Sequence, residues 1–134
     1  MSFFGIGESR RVFSSGAECA IVPFRGCRFY CGPGNKIEAA LRLPRDRHGH
    51  ERYDRLNFSI IDSIVNKGDV CFDIGANIGV YTCVLGLISG AGTNIHAFEP
   101  ADHIRRKLHR NLQLNGLAGV SANSFALGAA ETES

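Results

Sequence analysis

Val70-Cys71-Phe72-Asp73-Ile74-Gly75-Ala76-Asn77-Ile78-Gly79 is the stretch on which the fold turns. Its first half is apolar on both alternating faces except at Asp73, the pattern of a parallel strand covered by helices on each side. A tight glycine loop follows, and residues 78–88 then read as an apolar helix closed by Gly90 or Gly92. The same order recurs downstream. Thr93-Asn94-Ile95-His96-Ala97-Phe98-Glu99 is a second strand stopped by Pro100, and Ile104, Leu108 and Leu112 mark one face of a helix ended by Asn115-Gly116. Residues 120–127 read as a third strand. Strands alternating with helices in this way predict an α/β fold with a parallel sheet.

Upstream, Leu56, Ile60, Ile61, Ile64 and Val65 recur at helical spacing before Lys67-Gly68, so an amphipathic helix is expected ahead of the first strand. Residues 1–35 mix apolar pieces such as Cys19-Ala20-Ile21-Val22 and Arg28-Phe29-Tyr30-Cys31 with turn signals at Pro23, Gly26 and Gly32-Pro33-Gly34. Short strands joined by turns are expected there. Residues 42–55 are polar and broken by Pro44 and Gly49, with Arg42, Arg45, Arg47, Arg52 and Arg55 clustered. A solvated loop is the plain reading; an anion-binding surface is the sharper one, with no aromatic platform beyond Tyr53 to support it. The division is thus 1–55, an N-terminal segment of short strands and a basic loop, and 56–134, a partial ligand-binding α/β domain.

Composition agrees with one packed core: 134 residues, 44% hydrophobic and 21% charged. A formal charge of +2 is too small to imply a nucleic-acid or membrane partner. The leading residues carry no basic, apolar signal, and residues 78–88 are far short of the roughly 20 that span a bilayer. The chain reads as soluble and cytoplasmic. Of five cysteines, Cys71 and Cys83 sit in apolar runs, and Cys19, Cys27 and Cys31 form no Cys-x-x-Cys pair with which His48 and His50 would complete a metal set. Reduced structural cysteines and no metal are expected.

Gly75 lets the backbone turn sharply beside a ligand, and Gly79 permits close packing where the helix begins. Unpaired amides at that helix start would receive a carboxylate or phosphate. A carboxylate at Asp73 would repel a pyrophosphate and attract an ammonium, while Glu99, ending the second strand, would accept from two ribose hydroxyls. The ligand so described is a nucleoside with an amino-acid tail, S-adenosylmethionine in preference to NAD, whose Gly-x-Gly-x-x-Gly spacing is lacking. The plain alternative is a glycine turn that binds nothing.

Those motifs, with Ala97-Phe98-Glu99-Pro100, residues 111–115 and Ala126-Leu127-Gly128, resemble the FkbM-type methyltransferases. The resemblance spans residues 56–130. It implies a Rossmann-like class I methyltransferase fold and methyl transfer to a hydroxyl, commonly of a sugar or secondary metabolite. By that resemblance Asp73, Gly75, Ala76, Asn77, Ile78 and Gly79 line the methionyl side, Glu99 holds the ribose, Phe98 and Pro100 flank it, and Phe125-Ala126-Leu127 lies near the adenine. The family's domain continues with further strands, so the chain is expected to be a truncated form with a bare sheet edge prone to self-association. No general base stands out; His48, His50, His96, His103 and His109 are candidates by residue type only. Alternative functions are an inactive cofactor-binding remnant and a fragment of an NAD-dependent oxidoreductase. Without an Asn-Pro-Pro-aromatic stretch, amino methylation of nucleic acid has no support.

Overall fold

A computed structural model describes residues 11–12, 18–33, 35–43, 45–90 and 94–128. The leading residues 1–10, Gly34, Pro44, Gly92, Thr93 and the tail 129–134, all used in the sequence reading, lie outside the described residues. The elements run β1 (Arg11–Val12), β2 (Glu18–Phe24), β3 (Cys27–Cys31), α1 (Lys36–Arg42), α2 (Arg55–Ile64), β4 (Cys71–Ile74), α3 (Val80–Ser89), β5 (Ile95–Phe98), α4 (Asp102–Leu114) and β6 (Ser121–Asn123). β1, β2 and β3 form an antiparallel sheet in that order, and β4, β5 and β6 a parallel one. In the parallel sheet Asp73 lies opposite Ala97, and Ile74 opposite Phe98, which in turn faces Asn123. The expected α/β fold with a parallel sheet is therefore present.

Arg25-Gly26 joins β2 to β3 with both residues at positive φ, the two-residue turn that matches strand twist. Arg25, a non-glycine residue in that conformation, is held by Glu51 and Asp62 at 3.0 and 2.8 Å and lies over the Phe58 ring. The hairpin is part of the main core: Phe24, Cys27, Phe29 and Cys31 pack with Leu41, Phe58, Ile78, Val84 and Leu108. Residues on both sides of position 55 thus share one interior.

Four expectations change. α1 appears inside what reads as strand and loop, because Asn35 caps it by accepting from the Ile37 and Glu38 amides. β4 is covered on one face only: Cys71 and Asp73 turn inward, whereas Phe72 and Ile74 stay 61% and 65% exposed. On the open face Phe72 stacks on His96 at 5.1 Å, and Phe98 meets Phe125 edge-on. α2 buries Phe58 and packs Ile61 of the expected stripe against the core, but leaves Leu56, Ile60 and Ile64 exposed, so only part of that apolar stripe faces the interior. β6 stops at Asn123, whose amide side chain bonds back to Ala97 and Ser121 carbonyls, and Phe125 and Leu127 are exposed beyond it.

Candidate functional site: the β4–α3 loop and Glu99

Loop 75–79 folds over the end of β5. The Gly75 and Ala76 amides both donate to the Phe98 carbonyl at 3.0 Å, the Asn77 amide donates to Glu99 Oε2 at 3.1 Å, and the Gly79 amide donates to the Ala76 carbonyl at 2.9 Å. The Ile78 amide is taken by Asn77 Oδ1 at 2.9 Å. The amides of residues 75–79 are therefore engaged within the chain, and the helix-start amides expected to receive an anion are those of the first turn of α3, from Val80 onward. Gly75, Asn77 and Gly79 all have positive φ, at 79°, 52° and 88°. The two glycines differ in their surroundings. A Cβ on Gly79 would collide with Leu108 Cδ1, whereas one on Gly75 would meet nothing within 4 Å. The closed side packs on α4; the open side has room beside the backbone.

Asp73 does not face that open side freely. Its Oδ2 accepts from the Thr82 hydroxyl at 2.5 Å, so it clasps β4 to the first turns of α3. Burial pushes its pKa up, and the Thr82 hydroxyl and amide pull part of the way back. Glu99 is 8% exposed, with Oε2 on the Asn77 amide and Oε1 on the Ala101 amide at 2.9 Å. Each ionised oxygen keeps a further lone pair with which to accept from a ligand hydroxyl. Gly75, Ala76, Asn77, Gly79, Phe98 and Glu99 are thus gathered at one end of the sheet. The Ile78 side chain is buried in the core, and its amide and carbonyl are bonded to Asn77 and Asn111. Pro100 is exposed just beyond Glu99, and Ala126 lies on the exposed segment after β6.

The sequence reading missed a polar cluster at the start of α3. The Tyr81 hydroxyl donates to Asp54 Oδ2 at 2.8 Å and accepts from Asn57 at 3.1 Å, while its ring stacks on Phe58 at 4.6 Å. Burial, then the Asp54 charge, pushes the neighbouring Tyr53 hydroxyl up to about 12. The signal for this cluster is Tyr81 itself, an aromatic two residues past Gly79 in an otherwise small and aliphatic helix. The arginine-rich loop is organised internally: Arg45 donates to the Gly49 carbonyl at 2.5 Å and Arg52 to the Arg45 carbonyl at 3.0 Å. His48 and His50 are exposed on that loop, and His103 and His109 are exposed on α4. Among the described residues no three His, Cys, Asp or Glu side chains gather as a metal set. Burial lifts the thiols of Cys27 and Cys31 to about 11 and about 12, so both remain protonated and act as small apolar groups. Among the described residues, no helix is long and apolar enough to cross a membrane.

No family model matches the chain, and no curated protein is significantly similar to it. Among solved structures it is similar to M. jannaschii TYW2 in complex with AdoMet, with a TM-score of 0.50 and 22% sequence identity. The match covers 78% of this chain and 42% of the TYW2 chain. At that identity the likeness is one of fold: the mixed α/β arrangement around the parallel sheet is shared with a protein whose structure contains AdoMet.

Proposed function

We propose that loop 75–79 and Glu99 hold S-adenosylmethionine, and that the chain belongs to a Rossmann-like class I methyltransferase acting on a hydroxyl of a sugar or secondary metabolite. One observation carries the cofactor reading. The carboxylate of Glu99 is pinned beside the glycine loop by two backbone amides, those of Asn77 and Ala101, and still has lone pairs for a ribose diol. The open side of Gly75 is where the methionyl part fits without a Cβ in its path. Asp73 acts through Thr82 by holding the strand to the helix, with any contact to the ligand ammonium left to its remaining oxygen. Phe98 and Pro100 flank the ribose, and Ala126 lies on the adenine side.

When bound, the cofactor supplies an electrophilic methyl on a sulfonium. The residues of this chain orient it; in-line placement of the acceptor oxygen supplies much of the rate, and as the O–CH3 bond forms and the S–CH3 bond breaks the hydroxyl proton would pass to a base or water on the acceptor side. The hydroxyl acceptor, sugar or secondary metabolite, rests on the FkbM resemblance in residues 70–79 and 97–100. A cofactor-binding remnant without catalysis is the second reading; it predicts binding without label transfer.

Calorimetric titration with S-adenosylhomocysteine tests the reading, with Glu99→Ala and Asp73→Ala as controls. Saturable one-to-one binding that Glu99→Ala weakens by roughly tenfold or more is expected, since two charge-assisted hydrogen bonds are lost. No heat of binding from a folded sample overturns it. Transfer of a labelled methyl to a panel of sugars and secondary-metabolite alcohols then separates enzyme from remnant.

A further inference from the structure

Asn111 is fully buried on the apolar face of α4, where an unsatisfied amide would be costly. It is satisfied from two distant parts of the chain. Its Oδ1 accepts from the Tyr30 amide of β3 at 2.9 Å, and its Nδ2 donates to the Ile78 carbonyl of the glycine loop at 2.8 Å. One helical turn later Asn115 repeats half of this arrangement. Its Oδ1 accepts from the Arg28 amide at 2.8 Å, and its Nδ2 donates to the Arg28 carbonyl at 2.7 Å. The helical pitch of about 5.4 Å nearly matches the roughly 6.8 Å between alternate strand residues, so two asparagines four apart cap alternate amides on the outer edge of β3. Asn115 therefore ties α4 to the hairpin and, at 3.8 Å, to Cys83 Sγ on α3, whereas only Asn111 of the two bonds to the loop.

The Ile78 peptide is the last before Gly79. Its carbonyl is fixed from the core side by Asn111, while the Asn77 amide just before it is fixed by Glu99. We propose that Asn111 is a positioning residue that sets loop 75–79 for its ligand and couples that loop to the β2–β3 hairpin. The inference rests on the cofactor reading given above. It assigns a role to residues 111–115, whose resemblance to the family otherwise has no function attached, and it makes the hairpin a brace of the site.

Asn111→Asp and Asn115→Asp form a matched pair. Each keeps the acceptor for a β3 amide and loses its donors, but only Asn111→Asp sets an oxygen against the Ile78 carbonyl. With S-adenosylhomocysteine titrated at a temperature where circular dichroism shows each variant folded, Asn111→Asp is expected to bind roughly tenfold or more weakly, and Asn115→Asp close to wild type. Equal affinity of the two variants overturns the inference alone. Failure of the wild type to bind overturns the cofactor reading and this inference with it. Should Asn111→Asp not fold, hydrogen exchange on the intact chain decides. Added S-adenosylhomocysteine is expected to slow the Tyr30 amide by roughly tenfold relative to the Arg28 amide, and equal slowing of the two overturns the coupling.

Discussion

Replacing Gly79 by Ala tests the close packing of the loop on α4. The backbone there has φ 88°, and a Cβ would overlap Leu108 Cδ1, a side chain with no solvent to retreat into. Left-handed backbone for an L residue costs about 1–2 kcal/mol. Forcing a methyl into a filled core adds about 1–3 kcal/mol. The expected loss is thus about 2–5 kcal/mol, a large part of the roughly 5–15 kcal/mol by which a domain is stable. Gly75→Ala shares the backbone strain at φ 79° but meets nothing within 4 Å, so it should cost only about 1–2 kcal/mol. Urea denaturation followed by circular dichroism measures both. With a slope near 2 kcal/mol per M, the two midpoints should differ by roughly 0.5–1.5 M, Gly79→Ala being the lower. Adding Leu108→Ala should be less harmful in the Gly79→Ala background than in wild type, because the new methyl occupies part of the cavity. Equal midpoints for the two glycine variants, or strict additivity with Leu108→Ala, would refute the packing argument.

Other outcomes follow from single contacts. The folded state raises the Asp73 pKa, so it binds that proton more tightly than the unfolded chain; stability should therefore fall as pH rises from the ordinary aspartate value through the raised one. Asp73→Asn should remove this downward slope in urea midpoints measured upward from the ordinary aspartate pKa of about 4, and an unchanged profile contradicts the assignment. Glu38, 1% exposed, is paired to Lys107 Nζ at 2.5 Å and also accepts from the Gly32 amide. Lys107→Met should cost about 2–3 kcal/mol, below the full penalty for stranding a buried charge because Lys107 is itself 39% exposed, and Glu38→Gln in the same chain should restore part of it. β4 pairs only with β5 among the described residues, and Val70, Phe72 and Ile74 are exposed along it. We expect self-association at micromolar concentration that Phe72→Lys reduces, read by sedimentation velocity; a wild-type monomer contradicts this.

The parallel sheet was legible because β4 and β5 are short apolar runs cut by Gly75 and Pro100, and α3 and α4 end beside Gly90 and Asn115-Gly116, the stops that the sequence marks. Periodicity is local, however, and does not say which face meets a partner. Leu56, Ile60 and Ile64 stay exposed, and the side chain that α2 buries fully is Phe58, against Phe24 and Tyr81, with Ile61 packed beside the core. Phe72 and Ile74 look like core and are half of a strand whose second face is open. At the site, the places of Gly79 and Glu99 could be read from element boundaries, because Gly79 opens α3 and Glu99 directly follows β5. Asp73 could not: whether a strand-end carboxylate points to a ligand or to Thr82 depends on a contact nine residues away. Asn111 was visible only as part of a motif, since its two partners come from residues 30 and 78. Even α1 had a usable signal, Asn35 followed by Glu38 three residues later, but the glycines before it favoured a turn.

The proposal is that the glycine loop and Glu99 together hold the nucleoside cofactor. Its most direct test is the amide nuclear magnetic resonance spectrum of the labelled chain as S-adenosylhomocysteine is added. The largest shifts are expected at residues 75–79 and 99–101, with little change along the arginine-rich loop 45–52. Shifts concentrated instead at the 340 Å³ cleft lined by Cys19, Tyr30, Arg110, Gln113 and Leu114, with residues 75–79 unmoved, would contradict it.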